Sequence, residues 1–236
     1  MKSIKQNNTL IIIPVYNEEK SIGSVINNLL KYSTGNDILV VCDGSTDKTL
    51  QVLEKYPIAK VSHIFNLGVG ASLQTGCLFA LRHDYSYIIR MDGDGQHNPV
   101  FINDILFPLK NGEADIVIGS RFLGNSEFKT TFSRLLGISI IAWFLGLITG
   151  RKITDPTSGF CAMNQSAIKF FAQNCPEDFP EPEILLYHRE YRIKEVPISI
   201  NRRTEGVSSI TALGSVYYMV KVMLSLSMHL FRRRKI

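Results

Sequence analysis

Cysteine and tryptophan are scarce, with four of the first and one of the second in 236 residues. Cys42, Cys77, Cys161 and Cys175 are widely spaced, form no C-x-x-C pair and have no histidine at zinc-ligand spacing. A zinc ribbon and a disulfide scaffold are thereby excluded, and the thiols read as reduced, mostly buried groups of a cytosolic protein. The N-terminus lacks a signal peptide's apolar stretch and cleavage site: after Lys2 and Lys5 only the short run Leu10 to Val15 precedes Asn17-Glu18-Glu19. In a chain not expected to be exported, the sequons at Asn7 and Asn164 carry little weight. There is no G-x-x-x-x-G-K-[ST] and no G-x-S-x-G, which excludes P-loop NTPases and the usual serine hydrolases. Basic residues are not interleaved with aromatics in the RNA-binding manner, so nucleic acid ranks last among partners.

What is present is ordinary for a globular protein: 45% hydrophobic residues, 20% charged and a net charge of +5. A chain of this length buries roughly 70–75% of its unfolded surface as one large domain or two small ones. The positive charge is uneven, with Arg202-Arg203 in one cluster and Arg232-Arg233-Arg234-Lys235 in another. Nucleotide diphosphates and membrane phosphates both suit such clusters.

Between residues 9 and 119, short β-branched runs alternate with amphipathic stretches, the pattern of consecutive βα units and a largely parallel sheet. Strands are predicted at Thr9–Ile13, Asp37–Val41, Ala59–Phe65, Tyr85–Met91 and Asp115–Gly119. Ile22, Val25, Ile26, Leu29 and Leu30 recur at helical spacing, with Asn17 placed as the cap and Glu18-Glu19 complementing the dipole. Leu73, Cys77, Ala80 and Leu81 predict a helix just beyond Gly68-Val69-Gly70, and further strands follow at Phe160–Met163 and Ile193–Ile200.

Two stretches break this rhythm. Arg134 and Arg151 bracket sixteen uncharged residues, 135–150, fewer than the roughly 20 that a membrane-spanning helix needs. A buried or interfacial helix fits instead. Residues 207–231 contain only Lys221 as a charged side chain, and Lys221, Ser225 and His229 form one polar stripe on an otherwise apolar helix. Core packing explains that pattern; so does a helix in the membrane interface with its basic end on anionic headgroups.

Asp92-Gly93-Asp94-Gly95-Gln96-His97 follows a predicted strand, so two carboxylates emerge at a strand's carboxyl edge, where open α/β sheets bind ligands. With Gln96 they offer hard oxygen donors for Mg²⁺ or Mn²⁺ while leaving positions for substrate phosphates; an Asx-Gly turn has the same letters. Asp43-Gly44-Ser45-Thr46-Asp47 ends the second strand and offers Ser45 or Thr46 as a helix cap, or Asp43 as an acceptor for a nucleotide base. Pro14 ends the first strand, and Tyr16 beside it can stack on a base or simply pack. Asn66-Leu67-Gly68-Val69-Gly70 lacks the third glycine of a dinucleotide fingerprint and follows the third strand, which excludes NAD binding.

Taken jointly and in order, Ile12–Glu18, Val41–Asp47, Asn66–Gly70, Met91–His97, Asp115–Arg121, Asp155–Phe160, Glu195–Pro197 and Arg203–Ile210 resemble a family 2 glycosyltransferase. Within that family the motifs are most similar to dolichyl- and polyprenyl-phosphate sugar transferases and related bacterial envelope-glycan enzymes. The resemblance implies an α/β fold: a single GT-A, Rossmann-like domain with a mostly parallel central sheet, plus apolar interfacial helices. The domain would span 1–206, including an apolar segment at 127–150, with an apolar or amphipathic helix and basic end at 207–236.

The same resemblance implies that Pro14, Tyr16, Glu18, Asp43, Asp92, Arg121 and Arg203 bind the nucleotide sugar, and that Asp92, Asp94 and Gln96 hold Mg²⁺ or Mn²⁺. Arg121 and Arg203 are the phosphate contacts, since a guanidinium fork matches two phosphate oxygens. Asp155, then Glu183, is the candidate base for a hydroxyl acceptor; a polyprenyl phosphate, already anionic, needs only orientation. Where dolichyl-phosphate enzymes carry Gly-x-Ser-Lys, this chain has Gly206-Val207-Ser208-Ser209, so one cation is missing.

The expected activity is metal-dependent, inverting transfer from a nucleoside-diphosphate sugar to a lipid-linked or glycan acceptor, by a peripheral protein at the cytoplasmic face of the cell membrane. The alternatives are a sugar nucleotidyltransferase and an inactive membrane-associated scaffold. The first would need a glycine-rich basic loop where Pro14–Glu18 stands, and the second predicts loss of the acidic pair, which is present.

Overall fold

The first strand shows how the layers form. Leu10 and Ile12 point into one apolar layer, and Ile11 and Ile13 into another. A strand covered on both faces reads as an unbroken apolar run. The computed structural model describes residues 7–33, 35–124, 131–176, 180–201 and 219–228. Its strands are β1 (Thr9–Val15), β2 (Asp37–Asp43), β3 (Ala59–His63), β4 (Tyr87–Arg90), β5 (Ile116–Ser120), β6 (Cys161–Asn164) and β7 (Ile193–Pro197). Its helices are α1 (Ile22–Tyr32), α2 (Thr49–Leu53), α3 (Val69–Arg82), α4 (Ile102–Lys110), α5 (Phe132–Thr149), α6 (Gln165–Asn174) and α7 (Pro180–Ile184), and residues 219–228 are also helical.

The seven strands form one sheet in the order β3-β2-β1-β4-β6-β5-β7. The sheet is mostly parallel, as expected, but β6 runs antiparallel between β4 and β5. Side chains of α1, α2 and α4 fill one layer; α3, α5, α6, α7 and the 219–228 helix fill the other. On α1, Ile22, Val25, Ile26 and Leu29 are buried, each contributing about 1.5–3 kcal/mol of transfer free energy. After β1 the chain builds β2 and β3 outward on one side and then returns to place β4 on the other. The crevice at the carboxyl ends of β1 and β4 is therefore a topological switch point.

Several local expectations are corrected. The cap of α1 is Ser21, not Asn17, and no acidic residue lies in its first turn. Asn17 instead adopts φ 55°, a conformation Asn tolerates, in the loop before the helix. Neither Ser45 nor Thr46 caps α2, which begins after Lys48; the Asp47 carboxylate accepts from Thr49 N at 2.9 Å. Helix α3 starts at Val69, inside the glycine-bearing loop. The strand predicted from Tyr85 begins at Tyr87, because Tyr85 N is still bonded to Ala80 O at the end of α3. The four cysteines are free, three buried and Cys175 half-buried.

Both irregular stretches are helical where described. Helix α5 buries Ile138, Ile141 and Leu145, but leaves Leu136, Ile140, Trp143 and Leu147 exposed. The 219–228 helix buries Val222 and Leu226 and exposes Val220, Leu224 and Met228. The two helices meet at Gly137, where a Cβ would lie 2.6 Å from the Met219 sulfur. Among the described residues no helix is long and apolar enough to cross a membrane. The remainder of the 207–236 segment, with its basic end, lies outside the described residues, as does Arg203.

Candidate active site

Three strand ends are stitched together at the switch point. Asn17 N donates to Ser45 Oγ at 3.0 Å, and Asn17 Oδ1 accepts from Thr46 N at 2.8 Å. Glu18 N donates to Thr49 Oγ1 at 2.9 Å, and Glu19 N to Asp47 Oδ2 at 3.1 Å. These bonds fasten the loop after β1 to the loop after β2. Ser21 Oγ then donates to Gly93 O at 2.9 Å, joining both to the loop after β4. The approach is close: a Cβ on Gly93 would lie 2.6 Å from a Val15 methyl group. Pro14, Tyr16, Glu18, Asp92, Asp94 and Gln96 are thus gathered in one region, with Tyr16 46% exposed.

Asp43 ends β2 but is buried, and its carboxylate is engaged. It accepts from Leu67 N at 2.9 Å and Gly68 N at 2.8 Å, and its Oδ1 lies 2.7 Å from His63 Nδ1. The opposite ring nitrogen of His63 meets Thr75 Oγ1 at 2.9 Å. Asp43 therefore fixes the loop leading into α3.

At the carboxyl end of β4, Asp92 has a side chain 38% exposed. Its Oδ1 accepts from Arg90 Nη2 at 3.1 Å, and its backbone N–H donates to His97 Nδ1 at 3.0 Å. That bond leaves the neutral His97 proton on Nε2, 3.8 Å from Asp92 Oδ2. Burial pushes His97 below the ordinary histidine value, with Asp92 and Asp94 opposing; the ring also stacks on Phe160 with centroids 5.1 Å apart. Burial pushes the Asp92 carboxyl up, but neighbouring charge, Arg90 foremost, outweighs it and holds the group ionised. Asp94 Oδ1 accepts from Gln96 N at 3.0 Å. The Gln96 carbonyl accepts from Asn201 N at 2.8 Å, and His97 bridges Ile200, so residues 200–201 run alongside this loop.

Asp92 and Asp94 offer hard oxygen donors of the kind a divalent cation takes. A Cβ on Gly159 would lie 2.4 Å from Asp92 Oδ2; only glycine leaves that oxygen its place. Among the described residues no group of three or more His, Cys, Asp or Glu could hold a metal. Two carboxylates would be enough to hold Mg²⁺ or Mn²⁺ only together with ligands from outside the protein.

Arg121 and Asp155 are paired with each other. Arg121 donates from Nε to Asp155 Oδ2 and from Nη2 to Asp155 Oδ1, both at 2.7 Å, and from its backbone N to Oδ2 at 3.0 Å. Thr157 N and Oγ also approach Oδ1, and Asp155 is completely buried. The guanidinium is thus paired with the Asp155 carboxylate, and that carboxylate accepts from both the side chain and the backbone of Arg121. Glu183, the second candidate base, is buried on α7 and accepts from Ser225 Oγ of the 219–228 helix at 2.5 Å.

Three contributors were not singled out in the sequence. Arg90 and Glu181 were unmarked because a lone arginine ending a strand and a glutamate between prolines have no motif. Gly159 stood inside the Asp155–Phe160 segment, but only coordinates reveal what it faces.

Residues 10–171 match the family model described as Glycosyl transferase family 2. The chain belongs to this family. It is 32% identical over 213 residues to the UDP-N-acetylglucosamine--dolichyl-phosphate N-acetylglucosaminyltransferase of Methanococcus voltae, covering 80% of this chain and 83% of that one. It is 28% identical over 226 residues to the polyprenol monophosphomannose synthase of Mycolicibacterium smegmatis, covering 91% and 85%. Among solved structures it is similar to glucosyl-3-phosphoglycerate synthase from Mycobacterium tuberculosis in complex with Mn²⁺, UDP and phosphoglyceric acid, with a TM-score of 0.66 at 19% identity over 85% of this chain and 72% of that one. That likeness shows the shared GT-A fold. This family 2 glycosyltransferase accordingly places its Asp92–His97 loop at the switch point of its sheet. Membership in the family sets aside the nucleotidyltransferase alternative.

Proposed function

We propose that this glycosyltransferase moves a sugar from a nucleoside-diphosphate sugar to a polyprenyl-type lipid phosphate, with inversion at the anomeric carbon. The observation that carries the acceptor class is the state of the two candidate bases. Asp155 is buried with its oxygens saturated, and Glu183 is tied to Ser225. A hydroxyl acceptor must lose its proton to a base within reach. A phosphate monoester is already an anion near neutral pH and attacks without one. Two relatives whose names specify dolichyl-phosphate or polyprenol substrates support the same class.

Donor binding falls to the stitched loops. Tyr16 offers an exposed ring for stacking, Pro14 and Glu18 flank it, and Asp43 anchors the loop at Leu67 and Gly68. Asp92 and Asp94, with Gln96 beside them, would hold the cation. A divalent ion there neutralises the diphosphate charge that grows as the sugar–phosphate bond breaks. Arg90 holds Asp92 ionised, and His97 accepts the Asp92 backbone N–H. Arg203 remains our candidate for a diphosphate contact.

The exposed apolar stripes of α5 and the 219–228 helix support the reading of a peripheral enzyme at the cytoplasmic face of a membrane. Leu136, Ile140, Trp143 and Leu147 recur at helical spacing on one exposed face, and Val220, Leu224 and Met228 on the other. Such a surface matches the interface where a polyprenyl phosphate presents its headgroup.

The deciding experiment supplies purified protein, Mn²⁺ and a panel of nucleoside-diphosphate sugars with either polyprenyl phosphate or the free polyprenol. Transfer to the phosphate alone is expected; equal transfer to the alcohol overturns the acceptor assignment.

A further inference from the structure

Arg90 is the last residue of β4 and lies almost wholly inside the protein, 2% exposed. Its Nη2 holds two carboxylates at once, Asp92 Oδ1 at 3.1 Å and Glu181 Oε1 at 2.5 Å. Its Nε and Nη1 are buried with no hydrogen-bond partner. A guanidinium cannot shed its charge, and buried donors left unpaired cost stability. This arginine is therefore a poor choice if the position serves only to fill the core.

The geometry points to Arg90 as a positioning residue that, anchored by Glu181 on α7, fixes the Asp92 carboxylate in the orientation that receives the divalent cation. The inference rests on the reading of Asp92 and Asp94 as cation donors. Asp92 is confined on two further sides, by Gly159, where a Cβ would come within 2.4 Å of Oδ2, and by His97 on its backbone N–H. Arg90 supplies the remaining restraint, on Oδ1. Glu181 matters because it shares Nη2 with Asp92 and anchors the guanidinium to α7. Its charge also cancels that of Arg90, so the pair orients Asp92 without adding net positive charge that would repel a cation. The signal that singles out Glu181 is its place on the short Pro180–Ile184 helix, whose next glutamate, Glu183, takes Ser225 of the 219–228 helix. One rigid turn thus connects the cation loop to the C-terminal helix.

The test is Mn²⁺ binding by the full chain, followed by the electron paramagnetic resonance signal of the free ion, alongside thermal melting without metal. The double variant R90M/E181L removes one positive and one negative charge, so net charge is unchanged and any change in affinity reports orientation. Replacing a buried ion pair with apolar side chains of similar volume is commonly tolerated, and the exposed part of Asp92 stays hydrated. We expect this variant to melt near the wild-type temperature and to bind Mn²⁺ roughly tenfold or more weakly, the range seen when groups behind metal ligands are removed. E181D, which keeps the charge but shortens the anchor on Arg90, provides a second variant if the double one does not fold, with a smaller loss in the same direction. Wild-type affinity in E181D, or in a folded R90M/E181L, overturns the positioning role while leaving the cation site standing. Absence of Mn²⁺ binding in the wild type overturns the cation site itself and this role with it.

Discussion

Arg121 and Asp155 face each other in a buried, two-pronged ion pair, with Nε–Oδ2 and Nη2–Oδ1 distances of 2.7 Å. The same carboxylate also accepts the Arg121 backbone N–H, and Glu195 Oε1 accepts the Asp155 N–H at 2.8 Å. The pair therefore joins the end of β5 to the 154–158 segment, and through Glu195 to β7.

Asp155→Asn leaves a buried guanidinium facing a neutral amide. Breaking such a pair costs about 3 kcal/mol or more, which for a domain of this size lowers Tm by roughly 6–12 °C. A circular dichroism melt checks this, and a Tm within about 2 °C of wild type would show that the pair contributes little. Transfer by the surviving folded fraction at low temperature is expected to persist, because on our reading the acceptor needs no base.

Gly159→Ala separates site geometry from fold stability. Gly159 does not occupy the left-handed region, and the contact below 3 Å that its added Cβ would make is with the Asp92 carboxylate, the movable end of a side chain. The backbone tolerates alanine, so Tm should change by no more than about 1 kcal/mol's worth. Asp92 must swing away, and kcat/KM should fall by roughly tenfold or more, with a higher Mn²⁺ requirement. Unchanged kinetics would mean that the Asp92 orientation seen here is not the working one.

How far this was legible in the sequence follows from the range of the interactions. The βα rhythm and the buried face of α1 came from local periodicity, and the family's motifs marked the strand ends that the fold brings together. Ordered loops such as Asn17–Ser21 were misread because Asn, Asp and Ser serve equally as caps and as ties between distant loops. Only coordinates show that Asn17 bonds Thr46 instead of its own helix. The antiparallel β6 was invisible for a similar reason, since a four-residue apolar run carries no direction. Asp155 and Arg121 were both located in the right motifs, but which partner each took is a contact across 34 residues.

Asp115 predicts an acid-sensitive edge of the sheet. Its carboxylate accepts from Arg192 Nε, Nη2 and backbone N at 2.9–3.0 Å and from Asn164 Nδ2 at 2.8 Å. The side-chain bond to Arg192 is the largest contribution, and the group is lowered from 3.8 to about 2. A depressed folded pKa contributes stability above the unfolded value, and that contribution is lost as pH falls from about 4 toward 2. Because Arg192 is 61% exposed, screening reduces the effect to about 1 kcal/mol. Urea midpoints of wild type and Asp115→Asn should differ at pH 6 and converge near pH 2; a gap that persists at pH 2 would rule out ionisation of Asp115 as its cause.

The membrane reading is tested where apolar side chains already face outward. Trp143 is 65% exposed and Leu147 64%, one turn apart on α5. Their replacement by aspartate should move folding stability by only about 0.5 kcal/mol each, since little packing is lost. Each apolar side chain seated in an interface contributes about 1.5–3 kcal/mol, so losing two should lower partitioning by at least roughly a hundredfold, with carboxylates facing anionic headgroups adding repulsion. Co-sedimentation with vesicles of phosphatidylcholine and phosphatidylglycerol, compared with transfer to a water-soluble short-chain polyprenyl phosphate, separates the two roles of the surface. Lost sedimentation with retained transfer to the short acceptor is the expected pair of results. Undiminished sedimentation of the double variant would assign these stripes to something other than lipid.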